Sequence, residues 1–219
     1  MTTAQDLPFE IDGIRYSVCK PSEVPDVIEV LARSFSRRDP PAIVLGLTED
    51  DFKRFLAFVT ANTSKDGLTI VARDVLSGEM AGAVSTEDAG APVQLDLDTL
   101  SPRFAPVYDL FGELEAAIED ADPLEPGTTL HVFMLGVDEQ FGGRGIAQRL
   151  VEACLANGAS LGYRSAVTEA TNRTSQHIFS KLGFVVRAEA SYGEYRRDGV
   201  ATFASISEHG GLKSMIRSI

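Results

Sequence analysis

The amino-acid sequence predicts an α/β domain in which helices cover both faces of a mixed sheet, and three observations lead to this fold class. Short strand-like apolar runs are separated by segments whose apolar residues recur every three to four positions, which is typical of helices. Two of the strand-like runs flank Ser77 and Gly78, which indicates an antiparallel hairpin. No repeat or low-complexity linker divides the 219 residues, so we expect residues 1–219 to form one domain.

The first third of the chain predicts a strand, two helices and the hairpin. In residues 14–20 apolar and polar side chains alternate, as they do in a half-buried strand. Ser22 is a suitable N-cap for a helix that ends at Asp39, because two prolines follow it. Thr48 caps a second helix, whose first turn is acidic. The hairpin strands are predicted over residues 68–73 and 79–86.

Residues 88–127 form a predicted insertion that contains an extra helix. The first part is rich in Asp, Ala and Pro without a period, which favours a loop. Apolar residues then share one helical face over residues 107–118, and Glu119 and Asp120 lie on the polar side. The chain closes with predicted strands over residues 184–190 and 212–219, joined by a long connection over residues 191–211.

The stretch between Leu130 and Phe184 carries the functional signal. An apolar strand leads into a glycine-rich turn, and an amphipathic helix begins at Ile146. Gly143 and Gly145 allow a tight turn that leaves backbone amides exposed. Those amides precede a helix whose first N–H groups lack intrahelical partners, so this turn is a predicted anion site suited to phosphate.

The spacing around the turn argues against two common phosphate-binding loops. A Walker-type loop requires Lys and then Ser or Thr after its last glycine, whereas Ile146 and Ala147 follow here. The dinucleotide fingerprint requires a third glycine at position 148, which is Gln148. A dinucleotide-binding oxidoreductase is therefore an unfavoured alternative.

The turn resembles the Q/R-x-x-G-x-G/A signature of the GNAT superfamily of N-acetyltransferases, in which loop amides hold the pyrophosphate of acetyl-coenzyme A. In one register, Gly145 and Ala147 fill the two small-residue positions, and Gly142 stands where the family usually has Gln or Arg. A second register, Gln140-x-x-Gly143-x-Gly145, matches the letters but starts the helix two residues late. We prefer the first register.

A second segment resembles the same family. Asn172 to Phe184 is similar to the family segment N-x-x-A-x-x-L-Y-x-K-L-G-F, with Phe179 in the tyrosine position. The residues themselves predict a short strand, a helix over residues 174–182 and a left-handed stop at Gly183. Two matched segments in the same order make the resemblance much more specific than a glycine turn alone.

The resemblance implies a fold, a cofactor and a reaction. It implies a mostly antiparallel sheet of about seven strands, whose fourth and fifth strands splay apart around the pantetheine arm of acetyl-coenzyme A. It also implies acetyl transfer to a small amine. The expected cofactor-binding residues are Met134, Leu135, Gly136, Val137, Gly142, Gly143, Arg144, Gly145, Ile146, Ala147, Asn172, Ser175 and Phe179.

A narrower resemblance links the chain to the arylalkylamine, or dopamine-type, N-acetyltransferases. The paired helices before residue 68, the extra helix and the connection over residues 191–211 are similar to features of that group. Ser175 matches a serine of the group, whereas Pro40 occupies the position of its glutamate.

Amine acetylation requires a base, a donor to the carbonyl oxygen and protonation of the leaving thiolate. Glu169 is the first candidate base and Asp39 the second, while His131 is interpreted as a satisfied core residue. The resemblance makes the backbone N–H of Leu135 or of a neighbouring residue the expected oxyanion donor. Since Phe179 cannot donate a proton, the candidates for the thiolate are Ser175, Tyr192, Tyr195 and solvent.

The amino-acid composition bears on the possible partners and location of the protein. A net charge of −12 and a pI of about 4.7 argue against a nucleic-acid partner and are compatible with a cationic amine. The sequence has no apolar run long enough for a membrane span and no secretory signal pattern, and two cysteines suit a reduced cytoplasm. We expect no metal, no membrane, and a monomer or homodimer; a non-catalytic coenzyme A sensor is the main alternative to an enzyme.

Overall fold

A computed structural model describes residues 6–63, 66–94, 100–118 and 124–219 of the chain. Eight strands and six helices succeed one another in these residues. They are β1 (Phe9–Ile11), β2 (Ile14–Val18), α1 (Val24–Arg38), α2 (Pro40–Leu45), α3 (Glu49–Thr63), β3 (Ile70–Asp74), β4 (Met80–Asp88), α4 (Ala105–Ala117), β5 (Thr129–Val137), α5 (Ile146–Ser160), β6 (Ser165–Ala170), α6 (Arg173–Lys181), β7 (Val185–Ser191) and β8 (Gly211–Ser218).

All eight strands belong to one open sheet in the order β1-β2-β3-β4-β5-β6-β8-β7. Every neighbouring pair is antiparallel except β5 and β6, which are parallel. The predicted mixed, mostly antiparallel sheet flanked by helices is confirmed. The sheet has one strand more than the predicted seven because residues 9–11 pair with β2 as β1. These three residues are too few to show a strand period in the sequence.

Helices cover both faces of the sheet because successive strand residues point to opposite sides. On β3, Ile70 and Ala72 join the core beneath α5, whereas Val71 joins the core beneath α1 and α3. A third apolar cluster joins α4 to β7, β8 and the connection before β8. The rings of Tyr192 and Phe203, which belong to that connection, are fully buried there.

Several local predictions require correction or fall outside the structure. Pro40 does not simply end a helix: Asp39 caps a new short helix, α2, with the two prolines in its first positions, where a missing N–H costs nothing. Ser22 lies in a 3-10 turn before α1 and does not cap it. The predicted positions of Glu119 and Asp120 lie outside the described residues, as do residues 95–99 of the insertion.

Within the described part of the chain, no helix combines the length and the apolar character that crossing a bilayer requires.

Candidate active site

A gap opens in the sheet where β5 and β6 diverge. Their parallel pairing ends with His131 opposite Val167, although β5 continues to residue 137. The N–H of Asp138 donates to β4. The backbone groups of successive strand residues point alternately to the two sides, so those of Leu135 and Val137, which are three residues and one residue before Asp138, point away from β4 into the gap. These are the fourth and fifth strands of the predicted count, so the predicted splay is present.

An extra residue in β5 turns the strand at the mouth of this gap. Thr86 faces Val132 and Ser85 faces Met134, which leaves Phe133 as a bulge. As a result, Phe133 and Met134 both pack in the cluster beneath α1 and α3. The bulge therefore sets which backbone amides of the following residues face the gap.

The glycine turn after β5 presents free backbone donors. Gly143 and Gly145 have φ values of +74° and +72°, which suit glycine and let the turn close tightly. The N–H of Gly142 donates to Glu139, but within the described residues no acceptor contacts the N–H groups from Gly143 to Ala147. Residues 142–145 are exposed at the start of α5. This arrangement can bind a phosphate group.

Two arginines near the turn are held away from it. Arg144 donates to the backbone oxygen of Asp12 at 2.7 Å and lies 3.9 Å from the Asp74 carboxylate. Arg149 pairs with the Asp12 carboxylate at 3.1 Å. The prediction that Arg144 binds the cofactor thus depends on its backbone N–H and not on its side chain.

Gly136 brings α1 against β5 beside the gap. A Cβ at this position would lie 2.9 Å from a methyl carbon of Leu31 and 3.0 Å from the Cβ of Ser34. Only glycine permits this close approach of helix and strand. Predicted cofactor-binding residue Gly136 therefore has a packing role, and its neighbour Met134 is buried in the same cluster.

Three titratable side chains meet on one face of β4, β5 and β6. His131 Nδ1 lies 2.9 Å from Glu87 and its Nε2 lies 2.7 Å from Glu169. Burial alone would lower the pKa of His131, but the two carboxylates raise it to about 10, so the ring is an imidazolium bridging two carboxylates. Both ring nitrogens of His131 thus have partners, as interpreted from the sequence. The two glutamates meet His131 only through the register of the strands, so no local sequence pattern identifies them as its partners.

Asp39, the second candidate base, lies at the far end of β6. Its carboxylate accepts hydrogen bonds from the hydroxyl of Thr171 at 2.5 Å and from the N–H of Ala42 at 3.2 Å. Burial raises the pKa of Asp39 to about 6, although both hydrogen bonds oppose this shift. Thr171 directly follows β6 and is two residues beyond Glu169, so the two candidate carboxylates both lie near the C-terminal end of this strand.

The second matched segment forms a capped helix start at the same end of β6. The Asn172 side chain accepts from the Ser175 N–H at 3.0 Å, and the Ser175 hydroxyl donates to the Asn172 carbonyl at 2.9 Å. Phe179 is buried edge-to-face against Phe184, with ring centroids 5.1 Å apart. Ser175 thus has a capping role, and the Phe179 ring offers no polar group.

The two tyrosine candidates have different surroundings. The Tyr192 hydroxyl donates to the Thr171 carbonyl at 2.8 Å, and burial raises the pKa of this fully buried side chain. The Tyr195 hydroxyl donates to Asp109 of α4 at 2.6 Å. Tyr192 therefore contacts the residue that also binds Asp39, whereas Tyr195 belongs to the third cluster.

Aromatic rings extend from His131 on the α1 and α3 side of the sheet. The ring centroids of His131 and Phe133 are 5.2 Å apart, and Phe133 lies 5.8 Å from Phe55. Phe104 follows at 5.6 Å from Phe55, and Tyr108 at 6.3 Å from Phe104. The carboxylates beside the gap thus adjoin a row of apolar rings.

Comparisons with known proteins find an acetyltransferase family model and solved structures of similar fold. The model of the acetyltransferase (GNAT) family matches residues 20–184. The C-terminal condensation domain of Ebony, solved with β-alanyl-dopamine, has a TM-score of 0.84 at 16% identity over 94% of this chain and 99% of that one. Arylalkylamine N-acetyltransferase 2 from Aedes aegypti has a TM-score of 0.79 at 24% identity, over 95% and 100%. Polyamine N-acetyltransferase from Drosophila melanogaster has a TM-score of 0.73 at 19% identity, over 94% and 100%. These likenesses show a shared fold.

Proposed function

We propose, from the premise that the chain belongs to the acetyltransferase (GNAT) family, that it transfers an acetyl group from acetyl-coenzyme A to a small primary amine. One observation carries the proposal. The gap between β5 and β6 joins free loop amides at one end to a group of partly buried carboxylates at the other. A thioester with a diphosphate and an amine that must lose a proton require these two kinds of group.

The residues present fit acetyl-coenzyme A. The free N–H groups from Gly143 to Ala147 would hold its diphosphate, and the open backbone edge at Leu135 and Val137 would hold the pantetheine arm. When bound, the cofactor supplies the thioester. The N–H of Leu135 is our candidate donor to the carbonyl oxygen of that thioester, where negative charge develops during transfer.

The carboxylates suit a cationic amine. With His131 protonated, the group formed by Glu87, His131 and Glu169 carries one net negative charge. Glu169 is its more exposed carboxylate, at 20% against 8% for Glu87. We assign Glu169 the binding of the substrate ammonium, because it is the more accessible of the two carboxylates and the bond to His131 fixes its position.

Asp39 is our preferred proton acceptor. A general base works best when its pKa lies near the working pH, and burial brings the pKa of Asp39 to about 6. For the leaving thiolate, Ser175 remains the candidate donor, since the buried Phe179 ring has no proton to give. The row of rings between His131 and Tyr108 would contact an apolar substituent of the amine.

A thiol-release assay tests this proposal. The purified full chain is incubated with acetyl-coenzyme A and a panel of arylalkylamines, polyamines and peptides with free N-termini, and free thiol is measured. We expect turnover with at least one amine, and a large loss of kcat in Asp39→Asn and of amine affinity in Glu169→Gln. Glu115→Gln, an exposed carboxylate on α4, is the control.

Two outcomes would refute an acetyltransferase. Tight coenzyme A binding without turnover on any amine would favour the sensing module. Failure to bind coenzyme A at all would exclude both functions.

A further inference from the structure

A cleft of about 390 Å³ lies between α1 and the end of β5. Three arginines of α1 line it, together with the carboxylates of Asp138 and Glu139; they are Arg33, Arg37 and Arg38. A concentration of cations is unusual on a chain of net charge −12. The cleft therefore raises the question of what anion it serves.

The three arginines differ in their partners. Arg33 pairs with Asp138 at 2.7 Å, and Arg37 lies 3.6 Å from Glu49. Arg38 donates to the Ser34 hydroxyl at 2.9 Å and to the Val137 carbonyl, and among the described residues no carboxylate lies within ion-pairing distance of it. Arg38 is thus an exposed guanidinium whose charge is not neutralised by those residues.

The contact with Val137 places Arg38 on the gap. The carbonyl of Val137 faces away from β4, so the guanidinium lies along the open edge of β5. Five residues further along the chain, the glycine turn begins with its free amides. Arg144 and Arg149, the arginines nearest to that turn in sequence, are directed to Asp12 on the other side. Arg38 of α1 thus places a cationic side chain on the open edge of β5 ahead of the turn.

We propose that the α1 cleft is a phosphate subsite in which Arg38 binds the diphosphate of coenzyme A, facing the amides of the glycine turn across it. This inference rests on the proposed function. Arg38 would exchange two neutral acceptors, a carbonyl and a hydroxyl, for anionic phosphate oxygens, with which a guanidinium can form two parallel N–H···O bonds. The same exchange would free the Val137 carbonyl for the pantetheine arm.

Isothermal titration of the full chain with two ligands, coenzyme A and phosphate-free pantetheine, tests the subsite. Arg38→Ala is compared with Arg38→Lys and with the control Arg54→Ala, an exposed arginine of α3. A lost charge-assisted bond of about 1.5–3 kcal/mol corresponds to a roughly 10- to 150-fold weaker binding of coenzyme A. We expect this loss in Arg38→Ala and partial recovery in Arg38→Lys. Pantetheine binding should not weaken in Arg38→Ala, since removal of the side chain leaves the Val137 carbonyl free, and the control should bind both ligands as the wild-type chain does.

The outcomes separate this inference from the proposed function. If the wild-type chain binds coenzyme A and Arg38→Ala binds it equally well or better, the phosphate subsite is wrong while the acetyltransferase stands. An equal loss for pantetheine would show a contact with the arm or a structural effect, and would also overturn the subsite. If the wild-type chain does not bind coenzyme A, both proposals fail.

Discussion

Asp39 shows how burial changes the chemistry of a single residue. It precedes two prolines and caps α2, and its carboxylate accepts a hydrogen bond from the hydroxyl of Thr171 at the end of β6. Low exposure to water disfavours the charged carboxylate and raises the pKa of Asp39 to about 6. A sequence pattern identifies such a carboxylate as a turn residue, whereas its packing gives it a pKa that suits the proposed role of a base near neutral pH.

The pH dependence of activity tests this role. Because a base must be deprotonated to act, kcat/KM should rise as the pH passes upward through about 6. In Asp39→Asn the remaining activity should lack this limb. The profile is measured from pH 5 to pH 9 with an amine whose own pKa lies above that range. Glu169→Gln is the comparison and should retain the limb; its disappearance there instead would transfer the role to Glu169.

Ser175 combines a structural role with a proposed chemical one. Removing its hydroxyl in Ser175→Ala breaks the hydrogen bond to Asn172 and should reduce the free energy of unfolding by about 1 kcal/mol, as for other caps. If the hydroxyl also protonates the leaving thiolate, kcat should fall while coenzyme A affinity changes little. Ser175→Ala is compared with Ser180→Ala, a change at an exposed position of the same helix, by urea denaturation and steady-state kinetics. An unchanged kcat would remove Ser175 from the mechanism.

At the scale of elements, sequence patterns predicted what depends on neighbours along the chain. The strand, glycine turn and helix around Gly145 follow from hydrophobic period and glycine conformation, and the φ of +85° at Gly183 confirms the predicted helix stop. The grouping of His131 with two glutamates was not predictable, because those residues are separated by about 40 positions and meet only through strand register. The cleft arginines of α1 were missed for the same reason. The sequence shows that they are close together in one helix, but the surface that their side chains reach depends on how α1 packs on the sheet.

The packing of α1 on β5 depends on one missing side chain. In Gly136→Ala the new Cβ would meet Leu31 and Ser34 at about 3 Å, so the helix must shift or strain, which costs about 1–3 kcal/mol of unfolding free energy. The shift should also weaken coenzyme A binding, since α1 carries Arg38. Gly112→Ala is the matched control: it lies in α4 with nothing within 4 Å of the new Cβ, and should stabilise the chain by up to about 1 kcal/mol. Equal stability of the two variants in urea would contradict the close-packing argument.

The whole molecule combines a strong negative charge with a group of cations at the α1 cleft. The net charge of −12 should repel an anionic cofactor, so the free amides and the cleft arginines must supply a local field of opposite sign. The proposed amine side has the reverse arrangement, since its carboxylates, those of Glu87, Glu169 and Asp39, have the same sign as the net charge of the chain. Global charge should therefore favour the amine and oppose the cofactor.

This division predicts how salt acts on catalysis. At saturating acetyl-coenzyme A, raising NaCl from 20 to 200 mM shortens the Debye length from about 21 Å to about 7 Å and screens the attraction of a cationic amine. We expect kcat/KM for such an amine to fall by roughly two- to fivefold, while kcat changes little because the bound complex already has its local contacts. An amine of similar length that also carries a carboxylate has no net charge, so its kcat/KM should stay nearly constant. A cationic amine whose kcat/KM does not respond to salt would mean that the charge of the whole chain takes no part in substrate capture, and that only the carboxylates beside the gap recognise the ammonium.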